Sequence, residues 1–384
     1  MTSKENPLVR LKDVGQSVWV DNLSRHLLTS GELKWLITED AVTGVTSNPT
    51  IFEKAIAGSS DYTSAMEKLV RATESAEEVL NGLMIQDIQD AADTLKPVYD
   101  ETKGKDGFVS MEVSPLLAND AAATMREVRR ISKLVNRPNL MIKVPGTQEA
   151  IPAIQKMLFE GFNINVTLLF SVERYDQVLE AFLKALEQRL EAGQPIDQIA
   201  SVASFFISRV DTSTDKQLEA KIKAAKNADK KAELKSLLGQ TAIVNAKKAY
   251  RHLMVVSESE RFGKLKEHGA QIQRVLWAST STKNPTYRDV VYVEELIGRD
   301  TVNTMPENTL KAFRDHGEVQ VTLDRDQETI EETLKKLQAN GIDVDQIVQD
   351  LETAGVKAFI DSYRKLVKCV EDQRKSILAG AGRR

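Results

Sequence analysis

Asn139-Leu140-Met141-Ile142-Lys143-Val144-Pro145-Gly146 is an apolar run with a single charge inside it and a proline and a glycine to end it. Side chains on a strand alternate between faces, so Leu140, Ile142 and Val144 share one face while Lys143 points to the other. A strand that is apolar outside and carries a lysine inside, near its C-terminal end, suits one wall of a closed parallel barrel. The reactive rim of such barrels is built from the C-terminal strand ends. Desolvation there favours the neutral amine, the form that attacks a carbonyl carbon. Taken alone, Lys143 reads equally well as a packing lysine paired with a carboxylate.

Seven further segments share this strand character: Ser17 to Leu23, Val42 to Asn48, Gly107 to Ser114, Ile164 to Ser171, Ile199 to Ile207, Arg274 to Thr280 and Thr301 to Pro306. Most are followed by a longer stretch of helical periodicity, the rhythm of βα units. Eight such units predict a (β/α)8 TIM barrel, an α/β fold. Between the second and third segments the apolar stripe through Leu80, Met84, Ile88 and Ala91 leaves room for more than one helix. From Asp215 to about Tyr250 the lysine-rich run reads as charged helix, longer than a crossover requires, with a solvated face. From Gly317 onward, Ile330, Leu334, Leu337, Ile347, Leu351, Phe359 and Leu366 recur at helical spacing.

A length of 384 residues fits either one large barrel with additions or two ordinary domains, and composition alone does not choose. The eightfold pattern does, giving one barrel domain over 1–384 with a helical insertion at 215–250 and a helical addition at 317–384 packed on the barrel. No Pro-rich or Gly/Ser-rich linker divides it. A net charge of −4 offers no field for nucleic acid. Cys369 is the only cysteine, so no intrachain disulfide can form and a reducing compartment is compatible. The opening Met1-Thr2-Ser3-Lys4-Glu5-Asn6-Pro7 has no apolar run behind it, and no apolar stretch approaches the ~18 residues of a membrane span. A cytoplasmic protein is expected. His26, His252, His268 and His316 show no metal-ligand spacing, and no glycine-rich phosphate loop follows a strand; the Gly380-Ala381-Gly382 tail precedes no helix. No metal and no cofactor are expected.

Polar residues gather at the strand ends. In Phe108-Val109-Ser110-Met111-Glu112-Val113-Ser114 the carboxylate of Glu112 shares a face with Ser110 and points inward; Asp21 alternates with Val18 and Val20 in the same sense. Asn165 and Thr167 take the inward face opposite Val166 and Leu168. Thr46 and Asn48 share a face ahead of Pro49, Ser204 and Phe206 lie opposite Ala203 and Phe205, and Arg209 follows at the strand exit. Any one of these fits a strand-end hydrogen bond. Several strands contributing polar groups beside one inward lysine point to a catalytic rim.

Val45-Thr46-Ser47-Asn48-Pro49-Thr50, Met141-Ile142-Lys143-Val144-Pro145-Gly146-Thr147 and Asn165-Val166-Thr167-Leu168-Leu169-Phe170-Ser171 resemble the transaldolase family in order, spacing and residue type. The resemblance runs from about Gln16 to Pro306, and the length resembles the family's longer bacterial branch. It implies the (β/α)8 barrel, a Schiff base on Lys143, and transfer of a dihydroxyacetone unit from sedoheptulose 7-phosphate or fructose 6-phosphate to an aldose phosphate such as glyceraldehyde 3-phosphate or erythrose 4-phosphate. It further implies Glu112 and Thr167 as proton carriers through a water, and Asp21 as the base at the breaking carbon–carbon bond. Asn48, Asn165 and Ser204 then hold the substrate hydroxyls, with Thr46 beside them. Arg209, Ser281 and Lys283 hold the phosphate. Lys283 stands where the family has arginine, and an ammonium cannot make the forked contact of a guanidinium.

Two rivals remain. A fructose 6-phosphate aldolase of the same superfamily, a lyase, tends to carry Tyr where this sequence has Phe206 and Gln where it has Glu112. A non-catalytic barrel serving as a binding protein has no need of Lys143, Asp21 and Glu112 together. Sugar phosphates are the expected partners, with no nucleic acid and no membrane; monomer and homodimer both stay open.

Overall fold

The computed structural model describes residues 6–57 and 59–381. Met1 to Glu5 of the opening stretch and Gly382 of the tail lie outside them, while Gly380 and Ala381 fall at the end of the last helix. Eight short segments rich in valine, leucine, isoleucine and phenylalanine form strands: β1 Gln16–Val20, β2 Val42–Thr46, β3 Phe108–Glu112, β4 Leu140–Pro145, β5 Ile164–Leu169, β6 Ser201–Phe206, β7 Arg274–Ala278 and β8 Thr301–Met305. Each pairs in parallel with the next and β8 returns to β1, so the sheet closes without a free edge. The eight segments expected from the sequence are these eight strands.

Several strands stop two or three residues earlier than the hydropathy pattern suggests. Their polar ends leave the ladder to begin the next element. Asn48 Oδ1 accepts the Ile51 amide at 3.0 Å, and Ser171 Oγ accepts the Arg174 amide at 3.0 Å to cap the helix Val172–Glu191. In β5 the register shifts after Val166 and Leu168 adopts a left-handed φ of 60°, an irregularity beside the rim of the kind that re-aims a side chain.

Strand register decides which residues meet inside. Glu112 lies opposite Lys143 across the β3–β4 pair, and Lys143 opposite Asn165 across β4–β5, so the three share a level of the interior. Below them Trp19 is fully buried, its Nε1 donating to Asp106 Oδ1 at 2.7 Å. Ser17 also donates to Asp106, and Arg274 donates to Ser17 Oγ at 2.7 Å while standing 3.4 Å from the Asp106 carboxylate. This paired charge closes the N-terminal half of the barrel.

The region read as one charged helix is three: Ser208–Ala224, Ala228–Ser236 and Thr241–Ser257. Asn227 caps the second by accepting the Asp229 amide, and Gly239 at φ +70° makes the turn into the third. Leu218, Leu234 and Leu237 pack with Leu337, Ile342 and Ile347 in a small second cluster, which ties the insertion to the C-terminal helices. Those helices are Gln327–Ala339 and Val344–Ala381. The longer one lies against the helices Pro49–Ala57 and Ala76–Glu101 and sends Phe359, Leu366 and Val370 into the main core. Among the described residues no helix is long and apolar enough to cross a membrane.

Gly44 on β2 has no Cβ because the Trp19 indole occupies that space. Gly44→Ala drives a methyl into a closed interior, and overpacking of this kind costs about 1–3 kcal/mol. Urea denaturation should show a lower midpoint with an unchanged slope; an unchanged midpoint would mean the indole has somewhere else to go.

Candidate active site

Lys143 is 4% exposed. Its Nζ donates to the Ser47 carbonyl at 3.0 Å and stands 3.6 Å from Glu112 Oε2. The carbonyl belongs to the β2 exit, where the chain turns into the helix Pro49–Ala57, so β2, β3 and β4 together fix the amine. Both Glu112 carboxyl oxygens are buried without a hydrogen-bond partner among the described residues. Burial therefore dominates this group and raises its pKa to about 7, with Lys143 pulling it down and Asp21 pushing it up. A carboxyl poised near neutrality can both give and take a proton.

Asp21, just past β1, accepts a hydrogen bond from Thr46 Oγ1 at 2.7 Å, and Thr46 is in turn 2.7 Å from Thr304 Oγ1 on β8. Burial raises the Asp21 pKa as well, against the opposing charge of Lys143 and the hydrogen bond from Thr46. The lysine thus sits between two desolvated carboxyls. Thr167 Oγ1 is buried and unpartnered among the described residues, one position ahead of the strained Leu168. Asn165 is fully buried; its Nδ2 donates to Ser110 Oγ at 3.1 Å and its Oδ1 accepts from Ser204 Oγ at 2.7 Å.

Above the lysine a cavity of about 280 Å³ opens at the C-terminal rim, lined by Asp21, Asn48, Lys143, Thr167, Ser204 and Phe206. Thr46, Arg209, Ser281 and Lys283 complete it, so ten of the residues singled out from the sequence face one space. Glu112 and Asn165 do not. Asn165 lies behind Ser204, and Glu112 borders a neighbouring cavity of about 360 Å³ with Ser47, Met84 and Tyr363. That second space is larger, but Lys143, Arg209 and Lys283 do not line it.

The cations collect on one side of the mouth. The Arg209 guanidinium stacks 5.3 Å above the Phe206 ring, and Lys283 Nζ donates to Ser281 Oγ at 2.7 Å. Partial desolvation, then repulsion from Arg209 and Lys54, lowers the Lys283 pKa. Lys54 and Phe359 line the mouth too, and sequence reasoning passed over both roles. Lys54 was legible in principle: a helix that starts at Pro49 on the rim carries its second turn over the opening. Phe359 arrives from a helix that begins at Val344, far along the chain, and only tertiary packing brings it there.

A barrel with a buried lysine at its C-terminal rim, flanked by desolvated carboxyls, falls in the class of enzymes that work through a lysine imine. Comparison with known proteins narrows the class. The family model for transaldolase/fructose-6-phosphate aldolase matches residues 18–370. The transaldolase of Trichodesmium erythraeum is 44% identical over 374 residues, covering 97% of this chain and 98% of the relative. Transaldolase 2 of Nostoc punctiforme is 45% identical over 376 residues, at 96% and 98% coverage. The transaldolase of Thermobifida fusca is 45% identical over 369 residues, again at 96% and 98%. The chain belongs to the transaldolase/fructose-6-phosphate aldolase family, and its full-length relatives place it on the transaldolase side.

The raised Glu112 pKa has a measurable consequence for stability. Between the ordinary value of 4.5 and the folded value of about 7 the native state holds a proton that the unfolded chain has lost, so stability declines as pH rises through this window. Glu112→Gln removes the titration. Relative to wild type the variant should gain on the order of 3 kcal/mol between pH 4.5 and pH 7, read from melting curves at a series of pH values. A pH-independent difference would mean that Glu112 titrates normally.

Proposed function

We propose that this transaldolase carries its reaction on Lys143. The neutral amine adds to the C2 ketone of fructose 6-phosphate or sedoheptulose 7-phosphate and forms a carbinolamine. Glu112, acting with Thr167 through a bridging water, supplies a proton to the departing hydroxyl, water leaves, and an iminium remains. The iminium draws the electron pair of the C3–C4 bond as Asp21 takes the proton of the C4 hydroxyl. An aldose phosphate departs and a three-carbon enamine stays on the lysine. The enamine then attacks the acceptor aldehyde, Asp21 returns its proton, and hydrolysis of the new imine frees the amine. Each step finds an acid or base already in place beside the lysine.

The observation that carries this reading is Lys143 held between the Ser47 carbonyl and the Glu112 carboxyl at the foot of the cavity. Asn48 and Ser204 hold the hydroxyls of the retained fragment, Asn165 fixes Ser204 from behind, and Thr46 orients Asp21. Arg209, Ser281 and Lys283, with Lys54, receive the phosphate. The reaction belongs to the non-oxidative pentose phosphate pathway. The sugar phosphates are its small-molecule partners, and a lone cysteine, which leaves no intrachain disulfide to form, fits a reducing, cytoplasmic setting.

Lys143→Ala should keep a cooperative melt and lose all transfer between fructose 6-phosphate and erythrose 4-phosphate. Appreciable transfer by the folded variant would remove the mechanism. Phe206 bears on transfer against release, because its ring faces the cavity and offers no hydroxyl to orient a water toward the enamine. Phe206→Tyr should therefore release more free dihydroxyacetone from fructose 6-phosphate when no acceptor is present. If wild type already releases it as fast as it transfers it, the lyase reading replaces this one.

A further inference from the structure

The helix Ser208–Ala224 carries more than Arg209. Asp211 and Asp215 follow on one face, four residues apart, and both are buried. Asp211 accepts the Ala242 amide and the Tyr292 hydroxyl, each at 2.7 Å. Asp215 accepts the Gly239 amide at 3.0 Å and the Tyr287 hydroxyl at 2.7 Å. Each carboxylate therefore joins one backbone amide of the insertion to one tyrosine of the segment that follows β7.

That segment carries Ser281 and Lys283. Directly after Lys283 it turns: the Tyr287 amide donates to the Asn284 carbonyl at 3.1 Å, and Asn284 Oδ1 accepts the Thr286 amide at 3.0 Å and its hydroxyl at 2.8 Å. The Tyr287 ring rests against Gly239, 2.9 Å from where a Cβ would stand. Any side chain at Gly239 would displace it. Lys283 itself is exposed, so packing does not hold its flexible stem, and its position is set by the turn. It also faces two like charges, Arg209 and Lys54, with no carboxylate bonded to it among the described residues. Bringing these cations together costs electrostatic energy, which contacts elsewhere must offset. None of the groups in this second cluster takes part in the reaction. They line a separate small cavity that shares Lys283 with the mouth.

We infer that the Asp215–Tyr287 hydrogen bond, backed by Gly239, is a clamp that fixes Lys283 relative to Arg209 and so gives the enzyme its preference for phosphorylated over unphosphorylated sugars. The inference rests on the phosphate reading of Arg209 and Lys283 above. It assigns a role to the insertion: one helix carries the first cation in its opening turn and holds the loop of the second. Asp215 and Tyr287 are positioning residues and touch no substrate.

Tyr287→Phe removes the hydroxyl and keeps the ring against Gly239, and Asp215→Asn keeps an acceptor for the Gly239 amide. For each variant, KM and kcat are measured with fructose 6-phosphate and erythrose 4-phosphate, and separately with unphosphorylated fructose and erythrose. Inhibition by inorganic phosphate is read alongside. In Tyr287→Phe, KM for fructose 6-phosphate and the inhibition constant of phosphate should each rise about tenfold, the equivalent of about 1.4 kcal/mol. The unphosphorylated reaction should be unchanged. In a Lys283→Ala background Tyr287→Phe should add nothing to the phosphate effect, because the residue it positions is gone. Equal losses for both substrate classes, no change in either, or full additivity with Lys283→Ala would each overturn the clamp. A wild type that transfers nothing from fructose 6-phosphate would instead remove the underlying functional reading.

Discussion

A lysine amine and a carboxyl held 3.6 Å apart inside a closed barrel form the contact on which the rest of the site depends. In water the two would be an ordinary ion pair; here neither has room for a hydration shell. Glu112 answers by moving its pKa to about 7, a value at which a carboxyl can both give and take a proton. Below it the buried Asp106 carboxylate is paired, receiving Trp19, Ser17 and Arg274. The surrounding strands are otherwise apolar toward their helices. Stability resides in the outer layer and the N-terminal half, chemistry at the C-terminal rim.

Much of this was legible in the sequence, for a definite reason. Strand alternation has a period of two, so one inward lysine in β4 fixes the facing of its neighbours, and the same rule applied to β1, β3, β5 and β6 put Asp21, Glu112, Thr167 and Ser204 inside. What alternation does not convey is which inward side chains line the cavity. Glu112 and Asn165 face inward at the level of Lys143, yet Asn165 is tied down by Ser110 and Ser204 and Glu112 borders the neighbouring cavity, so neither lines the space above the lysine. Strand ends were also overestimated. Asn48 and Ser171 look like strand continuations until their side chains are seen accepting the amides of the next helix.

The additions to the barrel were harder to read. A lysine-rich run suggested one solvated helix, whereas Leu218, Leu234 and Leu237 lend the insertion a small core shared with Leu337, Ile342 and Ile347. That pairing links positions about a hundred residues apart, which no local pattern encodes. The same is true of Phe359, which the C-terminal helix delivers to the mouth of the cavity. Length added to the minimal barrel here shapes the rim: the insertion meets the loop that carries one cation, and the terminal helix covers the opening.

The account stands or falls on the covalent role of Lys143. Borohydride reduction of the protein in the presence of fructose 6-phosphate, followed by peptide mass mapping, reads that role directly. The account predicts one three-carbon adduct, on the peptide that contains Lys143, with activity lost in proportion to labelling. An adduct on Lys54, Lys283 or any other lysine, or inactivation with no adduct at all, would contradict it.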